Sequence, residues 1–116
     1  MSMKLTRLVK LALKEAVKSE HRYQHGAVIF RRGKVIGRGF NKTNRGTSRF
    51  KGYWRGSLHA EIAALLDIRG AVHGASIVIV RNNLRNSFPC ASCLAALKEV
   101  GIKSIFYSNE GSIYAE

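Results

Sequence analysis

The fold class follows from residues 76–107, which read SIVIVRNNLRNSFPCASCLAALKEVGIKSIFY. Ser76–Val80 is a continuous apolar run, which is typical of a buried strand. Cys90–Val100 is predicted to be a helix, because a proline precedes it and a glycine closes it. Ser104–Tyr107 is predicted to be the next strand. Two strands joined by a helix indicate a parallel crossover, so we expect an α/β protein.

The flanking segments add two hairpins to this unit. Downstream, the turn Asn109–Gly111 is followed by a short strand, Ser112–Ala115, so the last two strands are predicted to be antiparallel. Upstream, Gly26–Arg32 and Val35–Phe40 are predicted to be the two strands of a hairpin.

Apolar periodicity predicts two more helices. Met3–Glu20 carries apolar residues at three- and four-residue steps, with lysines on its other side. Leu58–Arg69 follows Ser57, a good N-cap residue. Together, the predicted helices and strands form a three-layer α/β sandwich with a mixed sheet of about five strands. We expect residues 1–116 to form a single domain, because 116 residues is a usual domain size.

The positive charge of the chain is confined to one half. The formal net charge is +13; residues 1–58 hold 15 Lys and Arg against two acids, and residues 59–116 hold five of each. A basic face favours partners that carry phosphate. The stretch Asn41–Ser57 is basic, contains Phe50, Tyr53 and Trp54, and is too long for an ordinary connection, so we expect it to be functional or mobile.

Composition also bears on the compartment. No apolar run is long enough to predict a membrane span, and the basic residues spaced through Met1–Leu13 are unlike a signal peptide. The two cysteines, Cys90 and Cys93, are too few for a disulfide framework. We therefore expect a cytoplasmic protein in a reducing compartment, with no membrane partner.

Three residues match the ligand set of a catalytic zinc site. Zinc binds imidazole nitrogen and thiolate sulfur, and catalytic sites have three protein ligands and one open position. His59, Cys90 and Cys93 supply such a set, and both cysteines are predicted to lie in the first turn of one helix, where thiolates are favoured. Glu61, two residues after His59, would lie beside the metal as a carboxylate able to move protons.

These segments resemble a known family. His59-Ala60-Glu61 followed by Pro89-Cys90-Ala91-Ser92-Cys93 is similar to the signature of the zinc-dependent cytidine/deoxycytidylate deaminase superfamily. The apolar residues after Glu61, the 28 residues between Glu61 and Cys90, and the order of predicted elements are also similar to that family. The resemblance implies a cytidine-deaminase-like fold with one Zn²⁺ per chain.

The resemblance also implies a reaction and contacts. The reaction is hydrolytic deamination, with Glu61 moving the proton. Backbone N–H groups near Ala60 and Cys90 would hold the developing oxygen centre, and Asn41 would bind the base or sugar. The resemblance further implies a homo-oligomer. To these contacts we add an aromatic wall for the base, predicted from three side chains: Phe40, Trp54 and Phe88.

Two features of the sequence give conflicting predictions of the substrate. The C-terminal hairpin is similar to the branch that acts on free cytidine or deoxycytidine. In that branch the asparagine is followed two positions later by a glutamate, whereas Asn41 here is followed by Lys42 and Thr43. A lysine suits a phosphate better than a hydroxyl. The substrate is therefore predicted to be a cytosine-type nucleoside or its monophosphate.

Two other functions stay open at this point. The basic, aromatic stretch around Trp54 is similar to a mouth for single-stranded DNA or RNA, whose bases the enzyme would then deaminate. The second alternative is a catalytically silent zinc fold that binds nucleic acid or a partner; the intact Glu61 argues against it.

Individual residues also have simpler interpretations. The Cys90–Cys93 pair alone is typical of redox motifs, and His73 would be the fourth ligand of a purely structural zinc site. Asn41 is also a residue type that forms turns. We expect His21, His25 and His73 to be ordinary polar or core histidines.

Overall fold

The computed structural model describes residues 3–43 and 57–116. The helices are α1 (Met3–Ala16), α2 (Ala60–Asp67) and α3 (Ala91–Glu99), and a short 3₁₀ turn covers Asn82–Leu84. The strands are β1 (His25–Arg31), β2 (Lys34–Phe40), β3 (Lys42–Thr43), β4 (Ser57–Leu58), β5 (Ser76–Arg81), β6 (Ser104–Asn109) and β7 (Ser112–Ala115).

Five of the strands form one mixed sheet in the order β2-β1-β5-β6-β7. β1 is antiparallel to both of its neighbours, and β5 and β6 are parallel and joined through α3. β6 and β7 are antiparallel, with Tyr107 opposite Tyr114. The predicted mixed sheet and C-terminal hairpin are confirmed. β3 and β4 form a separate two-stranded ribbon.

The sheet has apolar side chains on both faces, which creates the three layers. Ile29 and Ile77 belong to a buried cluster with residues of α2 and α3, whereas Val28 and Val78 belong to one with residues of α1. Neighbouring residues of a strand point to opposite faces, so the continuous apolar runs of β1 and β5 serve both layers. Each such side chain contributes roughly 1.5–3 kcal/mol when fully buried.

All three helices are shorter than predicted, and α3 loses one residue at each end, where Cys90 and Val100 are its caps. α1 ends at Ala16 rather than Glu20. The Val17 N–H still bonds four residues back, but those of Lys18 and Ser19 bond only three residues back, and the Ser19 hydroxyl accepts from the His21 N–H. α2 begins at Ala60, not Leu58, because Ser57–Leu58 pairs with Lys42–Thr43 as a ribbon. The N-cap is therefore His59 and not Ser57, and the helix ends at Asp67 instead of Arg69.

Glycines in β2 let α2 approach the sheet closely. A Cβ atom on Gly39 would lie 2.5 Å from the Ala64 backbone nitrogen and 2.7 Å from the Ala63 carbonyl carbon. One on Gly37 would lie 2.7 Å from the Ala64 carbonyl oxygen. These contacts are with backbone, which cannot move aside independently. The Gly37-Arg38-Gly39 motif thus serves close packing, and it sets the position of α2. No helix in the described ranges has the length and apolar character needed to cross a membrane.

Replacing Gly39 by alanine is expected to destabilise the protein. The added methyl group overpacks the contact with α2, which typically costs about 1–3 kcal/mol. Gly70→Ala is the matched control, because a Cβ there meets nothing within 4 Å. The measurement is the free energy of unfolding in urea. Equal stability of the two variants would contradict the close approach of α2 to β2.

Candidate metal centre and active site

The candidate metal ligands lie at the N-termini of two helices. His59 is the N-cap of α2, and its carbonyl accepts the Ala63 N–H at 2.9 Å. Cys90 is the N-cap of α3, and its carbonyl accepts the Leu94 N–H at 2.8 Å. Both caps have extended backbone, and Cys93 follows in the first turn of α3. The two helix starts therefore present their ligands to one point.

The distances between these ligand atoms suit one tetrahedral metal ion. His59 Nδ1 lies 3.2 Å from Cys93 Sγ and 3.7 Å from Cys90 Sγ. All three ligand atoms lie within 4.8 Å of one another. Zinc–nitrogen and zinc–sulfur bonds at a tetrahedral angle place N and S about 3.6 Å apart. The geometry also assigns the imidazole ligand atom, because it is Nδ1 that faces both sulfurs.

The chemistry of the donor set also fits a cation. Cys93 is buried, and burial, the Glu61 carboxyl and the Cys90 thiol all raise the pKa of its thiol. A buried sulfur among other electron-rich groups becomes a thiolate only when a positive ion compensates the charge. A divalent metal ion held by His59, Cys90 and Cys93 provides that compensation.

Glu61 lies in the first turn of α2 and is almost completely buried. Burial raises the pKa of its carboxyl, while its own backbone N–H, the His59 charge and the Cys93 thiol act in the opposite direction. A carboxyl with a raised pKa beside a metal centre is suited to accept a proton and return it.

A cavity of about 290 Å³ opens over these groups. Its lining combines the site residues with two further segments. The lining residues are His21, Tyr23, His25, Asn41, His59, Ala60, Glu61, Ser87, Phe88 and Cys90. The candidate ligands His59 and Cys90, together with Glu61, therefore face a space that can admit a small molecule, and the start of α2 adds Ala60 to its wall.

Comparison with known proteins identifies the family. The sequence model of the family described as "Cytidine and deoxycytidylate deaminase zinc-binding region" matches residues 2–109 of this chain. The chain belongs to this family. It is a member of the zinc-type deaminase superfamily, whose enzymes are hydrolases, and the predicted resemblance and zinc cofactor are confirmed.

Individual relatives agree on the fold and differ in their named substrates. The dCMP deaminase of the cyanophage S-TIM5 superimposes with a TM-score of 0.75 at 23% identity, covering 96% of this chain and 89% of that one. The cytidine deaminase of Burkholderia pseudomallei gives a TM-score of 0.72 at 20% identity, covering 100% and 92%.

A third relative differs in length. The tRNA-specific adenosine deaminase subunit tad2 of Schizosaccharomyces pombe is 37% identical over 81 residues, which are 69% of this chain. That match spans only 19% of the tad2 sequence.

The structure divides the predicted substrate contacts of this deaminase-family chain between two places. Asn41, Ala60 and Phe88 line the cavity at the metal centre. Phe40 and Lys42 line a second cavity between β2 and α2, with the Lys42 ammonium 5.2 Å from the Phe40 ring centre. Trp54 lies outside the described residues. The substrate roles of these residues stay predictions.

Asn41 and Ser87 hold the cavity walls together. The Asn41 side chain accepts the His25 N–H at 2.9 Å and donates to the Tyr23 carbonyl at 2.8 Å. Ser87 is buried, donates to the Ile79 carbonyl at 2.7 Å and accepts the Ser108 N–H at 2.8 Å. These bonds position the segment before β1 and the loop that leads to Cys90.

Sequence reasoning missed the wall made by His21, Tyr23 and His25. Periodicity gave no signal for this wall, because residues 21–23 form a bend and the strand begins only at His25. His73 lies elsewhere, against Gly101, and the metal-ligand group found among residues 3–43 and 57–116 does not include it. The described chain therefore offers three ligands, as a catalytic rather than a closed structural site requires.

Replacing Cys93 by alanine is expected to abolish zinc retention. Purified wild-type protein should contain one zinc ion per chain, and the variant much less than one, because a two-ligand site holds the ion poorly. His73→Ala is the control and should keep its zinc. Metal analysis after dialysis provides the measurement, and a fully zinc-loaded Cys93→Ala protein would refute the ligand assignment.

Proposed function

We propose that this protein is a zinc-dependent hydrolytic deaminase that converts a cytosine-type nucleoside or nucleotide to its uracil form. The observation that carries the proposal is the buried Glu61 carboxyl beside the His59–Cys90–Cys93 group, at a cavity open to a small molecule. The names of the cyanophage and Burkholderia relatives support cytidine or dCMP as the substrate class.

The residues of the chain have complementary roles in this reaction. His59, Cys90 and Cys93 would hold a zinc ion, which would lower the pKa of a water molecule to near neutral. The Glu61 carboxylate accepts one proton from the attacking water and delivers it to the ring nitrogen. It then moves the second proton, from the new hydroxyl group, to the leaving amino group. A carbon–oxygen bond forms at C4, the exocyclic carbon–nitrogen bond breaks, and ammonia leaves.

The ends of the two helices favour negative charge at the reacting centre. The first N–H groups of a helix have no partner within it, and they carry partial positive charge. Ala60 is the first residue of α2, and Cys90 immediately precedes α3. Their position in the cavity wall supports the role of their N–H groups toward the developing oxygen centre.

A second candidate function is deamination of a base within single-stranded nucleic acid. The relative from Schizosaccharomyces pombe is named as acting on tRNA. An aromatic row also leads outward from the cavity: Phe88 lies 5.0 Å from Tyr107, and Tyr107 lies 5.9 Å from Tyr114, between ring centres. Phe88 and Tyr114 are exposed, as rings that stack on bases must be.

The two candidates are separated by a panel of substrates. Zinc-loaded protein is incubated with cytidine, deoxycytidine, their monophosphates and cytosine-containing single-stranded oligonucleotides, with adenine counterparts in parallel. Mass spectrometry detects the gain of about one dalton when an amino group becomes a carbonyl oxygen. We expect turnover of the monomers; turnover of oligonucleotides alone would favour the second function. Homo-oligomerisation stays a prediction.

The variant Glu61→Gln is expected to lose turnover by about 10²- to 10⁴-fold while keeping its zinc, because the amide cannot accept a proton. The same substitution at Glu99, an exposed carboxylate on α3, is the matched control and should leave turnover unchanged. The measurements are kcat and zinc content for each protein. Substantial turnover by zinc-loaded Glu61→Gln would exclude the proposed mechanism.

A further inference from the structure

Much of the positive charge of the chain has no part in the candidate active site. Residues 1–58 hold 15 Lys and Arg against two acids, whereas the described lining of the active-site cavity contains no Lys or Arg. Six of these basic residues lie on α1 and at the turn between β1 and β2. They are all exposed: Lys4, Arg7, Lys10, Lys14, Arg32 and Lys34. We call this surface the α1 basic face.

The periodicity of α1 collects its cations on one side of the helix. Lys4, Arg7, Lys10 and Lys14 follow one another at steps of three and four residues, so they are neighbours on the helix surface. Like charges at these steps repel each other and destabilise a helix. The arrangement therefore costs α1 some stability, and a polyanion bound to it would relieve the repulsion.

The turn between β1 and β2 extends this face. The Arg7 guanidinium donates to the Gly33 carbonyl at 2.7 Å, and a Cβ atom on Gly33 would lie 3.3 Å from Lys4 Cδ. Arg32 and Lys34 stand on either side of Gly33 in the chain, so they lie beside the start of α1. Two separate segments therefore form one surface with six cations.

The acidic residues of these segments do not neutralise the face. Glu15 is the one acid of α1, and it is buried and paired with Lys18 at 2.7 Å. Glu20 follows only after the helix has ended. Within residues 3–43 and 57–116, the Lys18–Glu15 pair is the salt bridge that forms, and it includes none of the six cations. Their charge is therefore available to a partner with closely spaced negative charges.

The other side of α1 argues against a lipid surface as this partner. Leu8, Val9 and Ala12 are buried in one cluster with Val28 and Val78 of the sheet. An amphipathic helix that binds a membrane does so by burying its apolar side among the lipids. In α1 that side already forms part of the protein core, so the helix meets a polyanion through its charges alone.

The composition of the face favours a double helix over a single strand. Sites for single strands combine positive charge with aromatic rings on which the bases stack. In the part of the chain that the structure describes, the exposed aromatic rings are Tyr23, Phe88 and Tyr114, and none belongs to α1 or to the turn. Helical rise places Lys4 and Lys14 about 15 Å apart, a length over which a duplex carries about nine phosphates.

We propose that the α1 basic face binds the phosphate backbone of double-stranded nucleic acid, without reading its sequence, as a surface separate from the active site. α1 packs on the sheet face that carries Val28 and Val78, whereas residues of α2 and α3 pack on the face that carries Ile29 and Ile77. The duplex is therefore held on the opposite layer from Glu61, and it is not the substrate. This binding goes beyond the proposed function and does not depend on it.

Fluorescence anisotropy with short labelled duplexes tests this surface. Zinc-loaded protein is titrated into duplex DNA, duplex RNA and a single strand of equal length, and its sedimentation with vesicles of phosphatidylserine and phosphatidylcholine is measured in parallel. Contacts with about four to six phosphates predict that duplex affinity falls about 10²- to 10³-fold between about 50 and 200 mM salt. DNA and RNA duplexes present the same backbone chemistry, and tighter binding of one identifies the source.

A matched pair of double variants assigns the binding to α1. The Lys10→Gln, Lys14→Gln protein is expected to bind the duplex roughly 10- to 100-fold more weakly at about 0.1 M salt, with a salt slope smaller by about two. The Lys98→Gln, Lys103→Gln protein loses the same charge at two exposed lysines of the other half, and it should keep nearly full affinity. Urea unfolding confirms that both variants are folded.

The outcomes separate this surface from the proposed function. Absence of duplex binding at low salt, full affinity in the α1 variant, or equal losses in the two double variants overturns the proposal. Preference for the single strand, or binding of vesicles in place of duplexes, also overturns it. Loss of duplex affinity in the α1 variant alone supports the surface, and it does so even if the substrate panel shows no turnover.

Discussion

The site depends on one constraint: the N-termini of α2 and α3 must meet within a few ångströms. His59 begins one helix and Cys90 begins the other, and their ligand atoms lie 3.7 Å apart. The sheet imposes this meeting, because α2 packs closely against β2 through Gly37 and Gly39 while α3 connects β5 and β6. Helix starts offer unpaired N–H groups and positive potential, so thiolates, Glu61 and a polarised substrate are all favoured there.

Buried hydrogen bonds then hold the loops that complete the cavity. Ser87 and Ser108 bond to each other and to the backbone, Ser108 also accepting the Arg81 N–H at 3.1 Å. Asn41 joins the end of β2 to the segment before β1. Loops have few apolar contacts, so a satisfied polar network is what gives these segments one conformation. The positions of Cys90 and of the histidine wall both depend on such networks.

The net positive charge and the candidate metal ligands lie in different halves of the chain. The candidate metal ligands and Glu61 lie at the helix starts in the half of the chain without net charge. His21 and Arg22 precede β1 and His25 begins it, in the basic half. Lys42, the residue that the sequence favours for a phosphate contact, lines the other cavity between β2 and α2.

The amino-acid sequence by itself determined the class of fold, the family and the metal ligands. Apolar runs, glycines and turns have local physical causes, and the spacing of His59, Glu61, Cys90 and Cys93 reflects the chemistry of zinc directly. The helix limits were less predictable, because Ser57–Leu58 pairs with Lys42–Thr43, a contact between residues distant in the chain.

Only the tertiary structure decided which remote residues face the metal centre. His21 and His25 enter the cavity because Asn41 and Asn82 hold their segment there, whereas Phe40 and Lys42 line another cavity although they adjoin Asn41 in the chain. Such placement depends on bonds across 16 and 58 residues of sequence, and no local pattern of side chains encodes those distances.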